Sequence, residues 1–157
     1  MAQSINKVIL VGNLGHAPKV GTTSSGGKVA QFSIATSDKW KDKNTGEDKI
    51  LTEWHRVVVF NQNLVEVCEN MLQKGTRVYV EGALRTRKWQ SQSGQDMYTT
   101  EVLLNGFNAK MIILAGAKNM QEQPPMPEDE PDGPFKSNSE ILDTAIEMMN
   151  NTDDIPF

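Results

Sequence analysis

Through roughly the first two thirds of the chain, apolar residues recur mainly at every second position, with one stretch where the spacing changes to three and four. Residues 5 to 14, carrying Ile5, Val8, Ile9, Leu10, Val11 and Leu14, read as a short buried strand. In residues 29 to 37, Ala30, Phe32 and Ile34 alternate with Gln31 and Ser33, so one face is expected inside and the other outside. Residues 51 to 60, 76 to 89 and 97 to 107 are rich in Val, Thr, Tyr and Trp, as strands are. Between the third and fourth of these runs, Leu64, Val65, Val67, Cys68, Met71 and Leu72 fall at helical spacing with Gly75 just beyond, which predicts a helix over 62–74. The connections at 15–28, 41–49 and 90–96 are polar, contain glycine, and read as hairpin loops.

The predicted order of three strands, one helix and two strands is the layout of an all-β, five-stranded OB-fold barrel with one short helix between strands 3 and 4. A sandwich topology fits the same strand count. Barrels of this kind present a surface to oligonucleotides or oligosaccharides.

After Lys118 the chain changes character. Pro124, Pro125, Pro127, Pro131 and Pro134 stand among Glu128, Asp129, Glu130 and Asp132, a composition that cannot bury enough apolar surface to fold. Residues 1–115 are therefore expected to form the barrel, 116–150 a disordered linker rich in proline and acid, and 151–157 an acidic tip. Within the linker, Ser137 and Glu140 have capping-box spacing ahead of Ile141, Leu142, Ala145, Ile146 and Met149, which predicts a transient helix over 138–149. Asp153, Asp154, Ile155, Pro156 and Phe157 join two carboxylates, a stiffened backbone, an aromatic plug and the terminal carboxylate, a pattern suited to docking on a partner protein.

Charge sharpens this division. Residues 1 to 118 hold 15 Lys+Arg against 10 Asp+Glu, a net of +5, whereas residues 119 to 157 hold one Lys against 10 acids, a net of −9. A basic body with an acidic arm points to a polyanionic ligand for the body. Cys68 is the one cysteine of the chain, so no internal disulfide or cysteine metal cluster is possible, as suits a reducing compartment. With neither an apolar run of membrane-spanning length nor a signal-like start, a cytoplasmic location is expected.

Candidate chemistry concentrates where rings meet cations. Strand alternation puts Trp54, Arg56, Val58 and Phe60 on one face and His55, Val57 and Val59 on the other. In residues 76 to 89 it groups Arg85, Arg87 and Trp89, with Val78, Val80 and Leu84 facing the core. Trp40 lies between Lys39 and Lys41, close to Lys43. Each ring taken singly fits a barrel core as well as a surface; rings that repeatedly adjoin cations in a basic domain fit stacking of unpaired bases beside bound phosphates. Catalytic and metal chemistry find little support. His16 and His55 lack a second ligand at zinc spacing, Gly26-Gly27-Lys28 lacks the leading glycine and the Ser/Thr of a phosphate loop, and no nucleophile–base arrangement is legible. No cofactor, no metal and no enzyme activity are expected.

Taken together, Asn6-Lys7-Val8-Ile9-Leu10-Val11-Gly12-Asn13-Leu14, Thr52-Glu53-Trp54-His55-Arg56-Val57-Val58-Val59-Phe60, Tyr79-Val80-Glu81-Gly82, Leu84-Arg85-Thr86-Arg87-Lys88-Trp89, Tyr98-Thr99-Thr100-Glu101-Val102 and the final Asp153 to Phe157 closely resemble bacterial single-stranded DNA-binding proteins. The resemblance implies an OB-fold subunit that assembles as a homotetramer wrapped by single-stranded DNA. By that likeness Trp40, Trp54, Phe60 and Trp89 fall at base-stacking positions, and Lys43, Arg56, Lys74, Arg85, Arg87 and Lys88 on or near the phosphate path. His55 and Tyr79 fall nearer subunit contacts. The tip, Asp153 to Phe157, matches the motif by which the family docks replication, recombination and repair proteins. The chain departs from the family in lacking a long Gly/Gln-rich linker and in having only two consecutive acids at the tip. The expected function is sequence-independent coating and protection of single-stranded DNA in the nucleoid during replication, recombination, repair and the response to DNA damage. The alternative within the same fold is an RNA-binding or cold-shock-like module, since RNA readers also use aromatic platforms.

Overall fold

A computed structural model describes residues 3–116. Most of the linker, the helix expected over 138–149 and the acidic tip lie outside the described residues. Among the described residues there are seven strands and one helix: β1 (Val8–Leu14), β2 (Lys19–Thr22), β3 (Lys28–Lys41), β4 (Asp48–Val59), α1 (Gln62–Met71), β5 (Arg77–Gln90), β6 (Asp96–Leu104) and β7 (Lys110–Ala115).

Five of the strands close on themselves. β1 pairs with β3, β3 with β4, β4 with β6, β6 with β5, and β5 returns to β1, so the circuit β1-β3-β4-β6-β5 is the barrel expected of an OB-fold. All of these pairs are antiparallel except β4 with β6. The two extra strands pair beside this circuit. β2 pairs with Lys28–Gln31 of β3, whereas β1 pairs with Ile34 and Ala35 of the same strand. β7 pairs with Arg77–Glu81 of β5, whereas β6 pairs with Ala83–Gln90. Their sequences hide them: β2 is Lys-Val-Gly-Thr, short and glycine-containing, and β7 is a continuous apolar run without alternation.

Closure brings neighbouring strand backbones very close at two points, and glycine stands at both. A Cβ at Gly12 would sit 2.1 Å from the carbonyl oxygen of Ala35, and one at Gly82 would sit 2.5 Å from that of Leu103. Only a residue without a side chain lets those backbones approach so closely.

Alternation fills the interior with Leu14, Phe32, Ile34, Val57, Val59, Val78, Val80, Val102 and Leu104. The helix adds Val65, Cys68 and Leu72, at spacings of three and four, to this core. Asn61 caps α1, its side chain accepting the amides of Asn63 at 3.1 Å and Leu64 at 3.3 Å. The helix ends before position 74 because Leu72 is already extended at φ −91 and ψ 136, and Gly75 at φ +86 turns the chain into β5.

One expectation about facing fails. Leu84 continues the alternation of Val78 and Val80 yet is 47% exposed. Beyond Gly82 the β5–β6 ribbon runs past the barrel as an arm, and Leu84 borders an open cleft instead of the core.

Burial has a direct chemical effect on Cys68. Desolvation pushes its thiol up to about 12, and its Sγ lies 3.9 Å from Met111 Sδ inside the core. Since thiolate is the reactive form, the native protein at pH 8 is expected to resist iodoacetamide while the urea-unfolded chain is alkylated completely. Mass spectrometry of the two samples checks this; stoichiometric labelling of the native protein would contradict the buried placement.

Candidate nucleic-acid interface

The rings and cations singled out by sequence do not gather into one pocket. Trp54 and Arg56 stand on the outward face of β4, opposite Ala35 and Ser33 of β3. They border a cleft of about 350 Å³ whose other wall is the β5–β6 arm, with Leu84, Tyr98, Thr100 and Val102. This cleft opens where β4 and β6, parallel over Val57–Val59 and Val102–Leu104, part company.

Trp54 is fixed by a glycine. A Cβ at Gly15 would fall 2.4 Å from its Cζ3, so the ring edge lies against bare backbone. Gly15 donates to Ser33 O at 3.1 Å, and its neighbour Leu14 accepts the Gly75 amide at 2.8 Å. Exposed Lys74 precedes that glycine, on the turn adjoining the Trp54 shelf.

Phe60 immediately follows β4 and borders a different groove. It is half-buried and lines, with Lys7, Arg85, Phe107 and Lys110, a larger groove of about 930 Å³. Trp40 and Lys43 belong instead to the β3–β4 arm. Trp40 is 47% exposed and pairs in register with Lys49, while Lys43 sits in the turn between the strands. Asp42 shapes that turn, accepting the Asn44 amide at 2.8 Å and meeting Lys49 Nζ at 2.6 Å. The Lys49 contact, aided by the Asn44 amide, lowers its carboxyl below the usual carboxylate range.

Trp89 and Lys88 occupy the end of the β5–β6 arm. The indole Nε1 of Trp89 donates to Thr99 Oγ1 at 2.8 Å, which orients the ring, and Lys88 pairs with Asp96 at 3.1 Å. Arg87 is placed differently from its neighbours Arg85 and Lys88. It is 7% exposed, and its guanidinium holds the buried carboxylate of Glu101 through Nη2 at 2.9 Å and Nε at 3.2 Å. Its charge is thereby committed inside the arm rather than presented to a phosphate.

Three contributors escape sequence reasoning. Glu101 reads as one more surface acid until its buried partner is known. Gly15 announces nothing about Trp54, and Tyr98, 67% exposed on the cleft, lies in a run whose alternation does not say that its inward face is uncovered. A signal for Glu101 was nonetheless available. It opposes Arg85 in the ladder and shares its face with Arg87, as an antiparallel hairpin turning at 91–95 dictates.

Residues 5–112 match the single-strand binding protein family. The chain belongs to that family. Among curated relatives, the single-stranded DNA-binding protein of Rickettsia felis is 44% identical over 157 residues, covering all of both chains, and that of Rickettsia prowazekii is 52% identical over 114 residues, 73% of this chain and 75% of its own. A solved structure of the Plasmodium falciparum protein of this family in complex with single-stranded DNA superposes with a TM-score of 0.66 at 43% identity, covering 73% of this chain and 99% of that one. Each of these is named for binding single strands. Among the described residues, no helix is long and apolar enough to cross a membrane.

The buried ion pair yields a stability prediction. Arg87→Met strands the Glu101 charge in the arm and is expected to cost about 3–5 kcal/mol, whereas Arg87→Met combined with Glu101→Leu restores most of the loss. Urea unfolding of the single and double variants measures both; a single variant as stable as the parent would refute the buried pair.

Proposed function

We propose that this chain coats single-stranded DNA without sequence selection, stacking unpaired bases on Trp40, Trp54, Phe60 and Trp89 while Lys43, Arg56, Lys74, Arg85 and Lys88 lie along the phosphates. The observation that carries the reading is the pairing of each ring with a cation on separate parts of one barrel: Trp54 with Arg56, Phe60 with Arg85, Trp40 near Lys43, Trp89 beside Lys88. Stacking contributes about 1–3 kcal/mol per base and works with every base, because every base has a π-face. Arg87 has an indirect role here: with Glu101 it stiffens the arm that carries Arg85 and Trp89. Membership of a family whose Plasmodium falciparum representative is solved with single-stranded DNA supports the same ligand.

The titration that tests it follows intrinsic tryptophan fluorescence against oligo(dT), oligo(rU) and duplex DNA at two salt concentrations. Strong quenching by oligo(dT), weak quenching by oligo(rU), none by duplex, and weaker binding at the higher salt are expected. Equal or stronger quenching by oligo(rU) would move the function to RNA.

The subunit is proposed to work as a homotetramer. On the outer face of β1, β5 and β7, Val11, Tyr79 and Ile112 form one row, and the next, Ile9, Glu81 and Lys110, is the edge where this face meets the larger groove. Ile9, Val11, Ile112 and Leu114 are all exposed, a contiguous apolar surface of the kind that self-association covers. At that edge the Tyr79 hydroxyl donates to Glu81, which also meets Lys7 at 3.1 Å. The Tyr79 hydrogen bond, then Lys7, lowers the Glu81 carboxyl, and the same bond raises the Tyr79 phenol. Ile112→Glu puts a charge into the apolar row of this face and is expected to shift the sedimenting species from tetramer to smaller forms. Unchanged sedimentation would remove this face from the assembly.

Beyond the barrel, the acidic tip Asp153 to Phe157 is proposed to recruit replication, recombination and repair proteins, in the cytoplasm at the nucleoid. The support is its composition: an aromatic end, a stiffening proline and carboxylates that basic pockets attract.

A further inference from the structure

We propose that Phe107 is an additional stacking ring, set at the mouth of the larger groove so that single-stranded DNA leaving Phe60 passes over Arg85 and Lys110 onto it. The inference rests on the reading of this chain as a single-stranded DNA binder and assigns one more position to that ligand.

Phe107 is fully exposed, the most exposed of the large hydrophobic side chains among the described residues. It contributes nothing to the core, and an aromatic ring left in water carries a cost that a ligand can recover. The loop that presents it is tied down. Gly106 turns the backbone at φ +68, and its carbonyl accepts the Asn61 side-chain amide at 3.2 Å. Asn61 also caps α1, and the amides of Phe60 and Asn61 both reach Leu104 O, at 2.9 and 3.3 Å. The segment bearing Phe60 and the loop bearing Phe107 are thus bonded to one another, and both rings line the same groove of about 930 Å³.

The rest of that groove suits a phosphodiester strand. Lys7, Arg85 and Lys110 line it against a single acid, Glu81, whose carboxylate is occupied by the Tyr79 hydroxyl and by Lys7 at 3.1 Å. Asn6, Asn105 and Asn108 add neutral hydrogen-bonding groups. An aromatic at each end with cations between repeats the grouping by which single strands are held elsewhere on such barrels. A purely apolar partner would be poorly matched to three cations. Sequence reading passes over Phe107 because it stands at the end of a predicted strand, where its exposure cannot be seen.

The test uses the full chain and titrates oligo(dT) into the parent, Phe107→Ala, Phe107→Tyr and Phe107→Trp proteins, with sedimentation of each. Phe107→Ala is expected to weaken binding by about 5- to 150-fold, the range for losing one stacked base, and to leave the salt slope unchanged because no phosphate contact is removed. Phe107→Tyr should bind as the parent does, and the indole introduced by Phe107→Trp should add a quenched component. Parent-like affinity of Phe107→Ala, or no added quenching in Phe107→Trp, would overturn the proposal while leaving the parent's own oligo(dT) binding intact. Altered sedimentation of Phe107→Ala with unaltered affinity would likewise overturn it, assigning the ring to a subunit contact. Failure of the parent to bind oligo(dT) is the separate result that would remove the underlying reading.

Discussion

Barrel closure is the constraint on which the remaining geometry depends, and it rests on two points where strand backbones nearly touch. β1 must leave β5 to reach β3, and β5 must exchange its neighbour β7 for β6. Gly12 and Gly82 stand where those approaches happen, with no room for a Cβ at either. A side chain at either site would collide with the carbonyl oxygen of a neighbouring strand, and misplaced volume in a packed interior typically costs about 1–3 kcal/mol or more. An unclosed sheet would also expose pairing edges. With the circuit shut, β4 and β6 are held parallel over only three residue pairs, and beyond those pairs they diverge. That divergence creates the cleft beside Trp54 and Arg56.

Closure also explains why aromatic side chains are accessible in a protein of this size. The β3–β4 and β5–β6 hairpins are longer than the barrel needs, so their outer halves extend as arms. Inside the barrel, Ile34, Val80 and Val102 are buried; on the same faces in the arms, Trp40, Leu51, Leu84 and Tyr98 are exposed. A ribbon of two strands has little stability alone. The β5–β6 arm is reinforced by the Arg87–Glu101 pair and by Thr86 meeting Thr100 at 2.9 Å, the β3–β4 arm by Ser37 meeting Thr52 at 2.9 Å and by the Asp42–Lys49 contact at the turn. Polar pairs do in the arms what the hydrophobic core does in the barrel.

Periodicity reveals much of this architecture because most strands bury one face, and such strands alternate visibly. Phe32 and Ile34, or Val57 and Val59, declare themselves in that way, and the helix declares itself through Val65, Cys68 and Leu72. β2 and β7 are hidden because one is only four residues long and the other is apolar at every inner position. The deeper gap concerns where a face stops being buried. Val80 and Leu84 have the same parity and the same chemistry, but the barrel ends between them at Gly82, and no local pattern records that boundary. The same gap separates Arg87 from Lys88: both are cations on an exposed ribbon by sequence, and only the register that brings Glu101 beneath Arg87 distinguishes a structural charge from an available one.

The spacing of the rings constrains the kind of ligand more tightly than any single ring does. Trp54 and Phe60 border different clefts, and Trp40 and Trp89 sit on different arms, so a mononucleotide or one base can engage only one of them. Each stack contributes modestly, and adjacent cations act through space on any phosphate nearby. Substantial affinity arises only for a polymer flexible enough to reach several rings in succession, since each further contact is then intramolecular and carries a high effective concentration. A duplex fails this requirement: its bases are stacked inside and its stiffness is that of a rod on the scale of the protein. On the proposed reading, the layout would select for single-strandedness and length while leaving base identity almost unread, which is the selectivity that a coating function requires.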